Sequence, residues 1–193
     1  LPNKSIIFVH GAGATPKSFA YIRLHFDGHD LYDFAYDSNK PCREAIDALA
    51  ALIGRIDGPV VLVGHSLGGV VSVNAACEAE GVSGVVTLAS PLGGAKAAQY
   101  LRWVFNSALL DDLSPYSANI RTTLARTPPC PIRSFVTVGG ALPFLNEAND
   151  GVVTVESQRA MTGPEYITVH TNHFEVLLSD DVIALIREFI DKV

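Results

Sequence analysis

An apolar run, Pro59-Val60-Val61-Leu62-Val63, passes without a break into Gly64-His65-Ser66-Leu67-Gly68-Gly69, and this junction limits the chain's options more than any other stretch. The run reads as a buried strand, and Val70 to Ala76 behind the glycines reads as a helix. A strand that turns into a helix within so few residues holds its turn residue in a strained conformation. Its neighbours must be small where backbones close on one another. Gly64-x-Ser66-x-Gly68 meets that demand, in the pattern that raises a serine hydroxyl above a sheet at a helix N-terminus. There the unpaired first N–H groups and the helix dipole favour developing negative charge. Ser66 is therefore the candidate nucleophile, against the alternative of a tight turn with an idle serine.

The same rhythm of strand and helix runs along the chain. Strands are expected at Ser5–His10, Leu31–Tyr36, 59–63, Gly84–Ala89, Ile132–Val138 and Glu165–His170. Helices are expected from Thr15-Pro16 to about Phe26, over 41–56, after the Ser66 turn, and over Val182–Ile190. Alternating strands and helices imply βαβ units and a mostly parallel sheet. With 48% hydrophobic residues and a mean hydropathy of +0.26, the strands fit burial on both faces. A length of 193 residues suits a single domain, 1–193, with a substantial core.

Charge and cysteine content narrow the function classes. The net charge of −6, with no basic cluster to offset it, argues against nucleic acid and anionic membrane surfaces as partners. No apolar run is long enough to span a bilayer, and no basic-apolar-small leader is visible before the first strand. Cys42, Cys77 and Cys130 lack metal-ligand spacing. Cys77 reads as a small buried hydrophobe, and a Cys42–Cys130 bridge stays open.

One interval breaks the rhythm. Between Pro91 and Pro131 no strand is expected, only helix-compatible sequence rich in bulk, with Trp103, Phe105, Leu109, Leu110 and Leu113. So long a connection is unusual in compact α/β domains. Ala97–Leu110 could supply a crossover helix, and 91–131 could also hold a cap over Ser66. Trp103, Phe105 and Leu109, with Phe144 and Leu145 from a later loop, are the candidate walls of a substrate pocket.

A nucleophilic serine needs a base, an orienting carboxylate and two N–H donors. Loops beyond strand C-termini carry such groups in open α/β sheets. His173, in Thr171-Asn172-His173-Phe174-Glu175 after the last expected strand, is the candidate base, with His170 its competitor. His10 and His65 adjoin glycine turns and are expected to shape them. Asp150, in Asn149-Asp150-Gly151, lies between the fifth and sixth strands and is the candidate acid, with Glu147 and Glu156 as competitors. A carboxylate there holds the imidazole in the tautomer that can take the serine proton. The backbone N–H groups of Leu67 and of Ala12, in His10-Gly11-Ala12-Gly13, are the candidate oxyanion hole. Pro16 stands where a dinucleotide fingerprint would need its last glycine, so that reading fails.

Val9-His10-Gly11, the Gly64–Gly69 turn, Ser90-Pro91-Leu92-Gly93-Gly94, Asn149-Asp150-Gly151-Val152-Val153 and His173 occur in that order. In this arrangement the chain resembles the α/β-hydrolase superfamily, particularly small bacterial lipases and esterases. The resemblance implies a minimal α/β-hydrolase fold: a mostly parallel six-stranded sheet, helices on both faces and a short helical cap insertion. It implies a serine hydrolase cleaving acyl esters through an acyl-enzyme, on a small-molecule ester and without a cofactor. Some larger lipases flank acid and base with aspartates for calcium; no such pair stands here, so no metal is expected. Thioester hydrolysis or acyl transfer by the same residues, or a hydrolase-derived binding protein with little turnover, are the alternatives.

Overall fold

The computed structural model describes residues 3–94, 112–141 and 147–193. Its strands are β1 (Ser5–Val9), β2 (Asp30–Phe34), β3 (Val60–His65), β4 (Val82–Leu88), β5 (Ile132–Thr137) and β6 (Glu165–Val169). They form one six-stranded sheet in the order β2-β1-β3-β4-β5-β6, and every adjacent pair is parallel. The expectation of a mostly parallel sheet is thus met by a wholly parallel one.

Among the described residues the α-helices are α1 (Ala20–Arg23), α2 (Cys42–Ile53), α3 (Leu67–Ala76), α4 (Ala118–Ala125), α5 (Val155–Gln158) and α6 (Asp180–Lys192). Because successive strand residues face opposite sides, β1 and β3 feed two cores. Ile7, Val9 and Leu62 pack with residues of α2, α3 and α4. Ile6, Phe8, Val61 and Val63 pack with residues of α1 and α6. These strands are buried on both faces, which is why they read as unbroken apolar runs. In α2 the buried positions Cys42, Ala45, Ile46, Leu49 and Ile53 recur at helical spacing.

One helix differs from the sequence reading. No continuous helix runs from Thr15 to Phe26: a 3₁₀ turn, Pro16–Phe19, is followed by the single α-helical turn of α1. Thr15 makes no side-chain cap, although Pro16 occupies the first position as expected. Phe19, Ile22 and Phe26 still reach the core, since their spacing survives the tighter winding. The helix between β4 and β5 among the described residues is α4. It is docked on α3 by the Asn74 amide, which donates to Thr123 Oγ1 at 2.7 Å. Leu113 is buried in the same core cluster as Ile120. Ala97–Leu110 lies outside the described residues.

Cys42, Cys77 and Cys130 are all free thiols, so no Cys42–Cys130 bridge forms. Cys77, expected to be buried, ends α3 and is half-buried. Buried Lys4 donates through Nζ to the carbonyls of Ile190 and Val193, binding the C-terminal turn of α6 to β1. Among the described residues no helix is long and apolar enough to cross a membrane.

Candidate active site

Four of the expected strands end one residue early, and their displaced residues His10, Ala89, Val138 and His170 start the loops that follow them. Ser66 sits between β3 and α3 with φ 53° and ψ −124°, a left-handed conformation that costs a non-glycine residue about 1–3 kcal/mol. Its N–H donates to the Leu88 carbonyl at 2.8 Å. The glycines around it are required by close approach. A Cβ on Gly64 would stand 2.5 Å from the Gly68 carbonyl oxygen, and one on Gly68 would run into the Val9 carbonyl.

The loop after β1 closes over Ser66, since a Cβ on Gly11 would lie 3.1 Å from Ser66 Cβ. His10 holds this loop: its ring stacks on Tyr36 at 4.4 Å, and its carbonyl accepts the Tyr36 hydroxyl at 2.8 Å. Ala12 and Ser66 line the same cavity. Leu67 opens α3, where first-turn N–H groups have no partner within the helix.

Asp150 and His173 form a buried pair, 1% and 3% exposed. His173 Nδ1–H donates to Asp150 Oδ2 at 2.8 Å, and the His173 backbone N–H donates to the Asp150 carbonyl at 3.0 Å. Asp150 Oδ1 accepts the N–H groups of Val152 and Val153 at 2.9 and 2.7 Å. Thr137, at the end of β5, adds its hydroxyl to Oδ2 at 2.6 Å. Burial alone would raise the Asp150 carboxyl. The His173 hydrogen bond and charge, with those from Thr137 and Val153, outweigh it and hold the group below the ordinary carboxylate range. His170 is exposed, as are Glu147 and Glu156, so the structure pairs Asp150 with His173 and leaves the competitors at the surface.

Two supporting residues were not singled out in the sequence. Thr137 and Gln158 pair like neighbouring strands: the Thr137 N–H donates to Gln158 Oε1 at 2.9 Å, and Gln158 Nε2 donates to the Thr137 carbonyl at 3.1 Å. Gln158 belongs to α5, against which Gly93 and Gly94 dock. The Gly93 N–H donates to the Ser157 carbonyl at 2.9 Å, and the Ser157 hydroxyl donates to the Gly94 carbonyl. The Ser90–Gly94 element thus braces Asp150 from behind, through α5. A threonine at a strand end and a glutamine on a one-turn helix carry no local sequence signal.

Ser66 and His173 share a cavity of about 260 Å³, walled by Ala12, Ala14, Val152, Phe174 and Leu177. With Nδ1 held by Asp150, Nε2 is the ring nitrogen free to accept a proton from a hydroxyl. Trp103, Phe105, Leu109, Phe144 and Leu145, the expected pocket walls, lie outside the described residues. The apolar wall at Phe174 and Leu177 follows directly on His173, a position the sequence reading passed over. Among the described residues no group of three or more His, Cys, Asp or Glu stands together to hold a metal ion.

Comparisons with known proteins agree with this fold. Bacillus licheniformis lipase BlEst2 in mature form is similar at 19% identity and a TM-score of 0.76, covering 96% of this chain and 91% of that one. Bacillus subtilis carboxylesterase CesB is similar at 14% identity and a TM-score of 0.64, over 97% and 84% of the two chains. A pyrethroid hydrolase from Sphingobium faniae JZ-2 is similar at 14% identity and a TM-score of 0.67, over 98% of each. No curated relative matches. Residues 6–188 match the family as a whole, and the chain belongs to the alpha/beta hydrolase family.

Proposed function

We propose that this hydrolase cleaves carboxylic esters with Ser66 as nucleophile, His173 as general base and acid, and Asp150 as its orienting carboxylate. The observation that carries the reading is the buried Asp150–His173 pair, whose histidine shares one small cavity with a serine held in a strained turn at a helix start. Ser66 Oγ attacks the ester carbonyl as its proton passes to His173 Nε2. The N–H groups of Ala12 and Leu67 receive the oxyanion. His173 then returns the proton to the departing alcohol oxygen, leaving an acyl-Ser66 ester. A water loses a proton to His173, attacks that ester, and releases the acid and a restored serine.

The test is labelling with a fluorophosphonate during assay with p-nitrophenyl butyrate. Label maps to the peptide containing Ser66, and activity falls in proportion. Ser72 gives its hydroxyl to the Gly68 carbonyl at 2.7 Å, and buried Ser90 gives its own to Leu88 at 3.2 Å, so neither competes. Adduct chiefly at Ser72 or Ser90 overturns the assignment. Turnover of thioesters but not of oxygen esters overturns the substrate class.

The cavity also bounds substrate size. Its roughly 260 Å³ lies just below the usual range of about 300–1,000 Å³ for small-molecule sites. Short to medium acyl chains fit, and kcat/KM rises by up to about fourfold per methylene, from ~0.8 kcal/mol each, until the cavity is full. A chain-length series of p-nitrophenyl esters below and above the solubility limit checks this. A steep jump in rate on emulsification makes the protein a lid-gated lipase instead.

A further inference from the structure

His65 takes no part in the steps above, yet it touches both reacting side chains' supports. It ends β3, is peptide-bonded to Ser66, and is 3% exposed. Its Nε2–H donates to the backbone carbonyl of His173 at 2.8 Å, and the two rings lie 4.9 Å apart. We infer that His65 is a positioning residue that sets the separation of Ser66 from His173 by binding the His173 backbone to the end of β3. This inference rests on the reading of Ser66 and His173 as nucleophile and base.

The sheet order explains why such a tie is needed. Ser66 follows β3, whereas His173 follows the edge strand β6, with β4 and β5 between them. Three spacings of about 4.8 Å must be bridged by a loop. His173 makes three hydrogen bonds among the described residues. Two go to Asp150 and hold it toward the β5 side. The third, from His65, is the one that reaches the strand carrying Ser66. Together they hold the His173 backbone at N–H and C=O alike, while its ring is held at Nδ1. A reacting pair misplaced by 1 Å loses about 10²-fold in rate, so a bond of this kind matters to kcat.

The chemistry of His65 suits the task. A carbonyl accepts only, so Nε2 carries the proton and Nδ1 is an unprotonated acceptor. Among the described residues Nδ1 has no hydrogen-bond partner, and it lies against Gly11, where a Cβ would stand 3.2 Å away. Burial first, and then the neighbouring His173, pushes the His65 imidazole down to about 3, so the ring is neutral in use. A neutral ring adds no second positive charge beside His173 as His173 takes up the serine proton.

Three variants test the tie: His65→Leu, which has no donor; His65→Gln, whose amide Nε2–H reaches the carbonyl; and His65→Asn, which is too short. The readouts are kcat and KM for p-nitrophenyl butyrate, the rate of fluorophosphonate labelling and the melting temperature. His65→Leu and His65→Asn lose about 10- to 100-fold in kcat and in labelling rate, with KM little changed, and His65→Gln recovers most of the loss. If His65→Leu fails to fold, the comparison of Gln with Asn stands alone. Gln as impaired as Asn at equal melting temperature, or full kcat in Leu or Asn, overturns the inference. A solvent-protected His65 Nε2–H proton in the NMR spectrum reports the bond without any turnover, and its absence also overturns the inference. An unlabelled Ser66 and no ester hydrolysis in the unaltered protein overturn the functional reading instead.

Discussion

Ser66→Ala lowers ester-hydrolysing kcat by about five to six orders of magnitude, as loss of the nucleophile does where serine, base and carboxylate act as a unit. The chain stays folded, because Ser66 is held by its backbone: its N–H donates to Leu88, and its side chain caps nothing in α3. Ser66→Gly sharpens the argument. Glycine takes φ 53° without a clash, so the strain of about 1–3 kcal/mol carried by serine or alanine is relieved. Each kcal/mol so gained raises the melting temperature by about 2–4 °C in a chain of this size. Both variants are inactive, yet the glycine form is the more heat-stable. Thermal melts beside the ester assay check the pair. A glycine variant no more stable than the alanine one removes the claim that the turn is strained for the sake of the hydroxyl.

Asp150→Asn lowers kcat by about 10³- to 10⁴-fold with the fold retained. The geometry dictates which way the new amide turns. Oδ1 faces two backbone N–H groups, Val152 and Val153, so the amide nitrogen cannot sit there without opposing donors. It takes the Oδ2 place instead, and Thr137 can turn its hydroxyl toward Gln158 Oε1, 3.2 Å away. The amide then donates to His173 Nδ1, the imidazole proton moves to Nε2, and the base has no lone pair for Ser66. Glu147→Gln and Glu156→Gln, at the surface, change kcat little. An effect of Glu156→Gln matching that of Asp150→Asn reassigns the acid.

The same substitution has a pH signature. The Asp150 carboxyl is held below its unfolded value of about 3.9. A lowered carboxylate stabilises the fold fully above the unfolded value, and the contribution is lost as pH falls through the folded value. Denaturation midpoints of wild type and Asp150→Asn therefore differ most at neutral pH and converge below about pH 4. A difference that persists unchanged into acid refutes the lowered carboxyl.

Much of this was legible because it is local. Ile6 to Val9 and Val60 to Val63 are apolar on both faces, so the strands declare themselves, and glycines within a few residues of Ser66 mark its turn. Asp150 and His173 could be named from their order between and after strands. Their partners could not. Thr137 meets Asp150 only because β5 ends where the Asn149-Asp150-Gly151 turn folds back, and Gln158 counts only because α5 lies behind both. His65 reads as a turn-shaping residue, and nothing in the order of residues says that its ring reaches the backbone of His173. The segment from Thr15 to Phe26 misled for the opposite reason. Its apolar spacing is helical, but the cap expected from Thr15 does not form, and the winding tightens.

The order of strands also acts in time. A ribosome delivers Ser66 early, in the turn after β3, while His173 arrives late, beyond the edge strand β6. The helix that follows it, α6, is in turn fastened by Lys4, among the first residues described. A nascent chain therefore carries the Ser66 hydroxyl before the His173 imidazole is there to stand beside it. On the proposed roles, Ser66 gains its base only when the later segment carrying His173 has docked against the earlier strands.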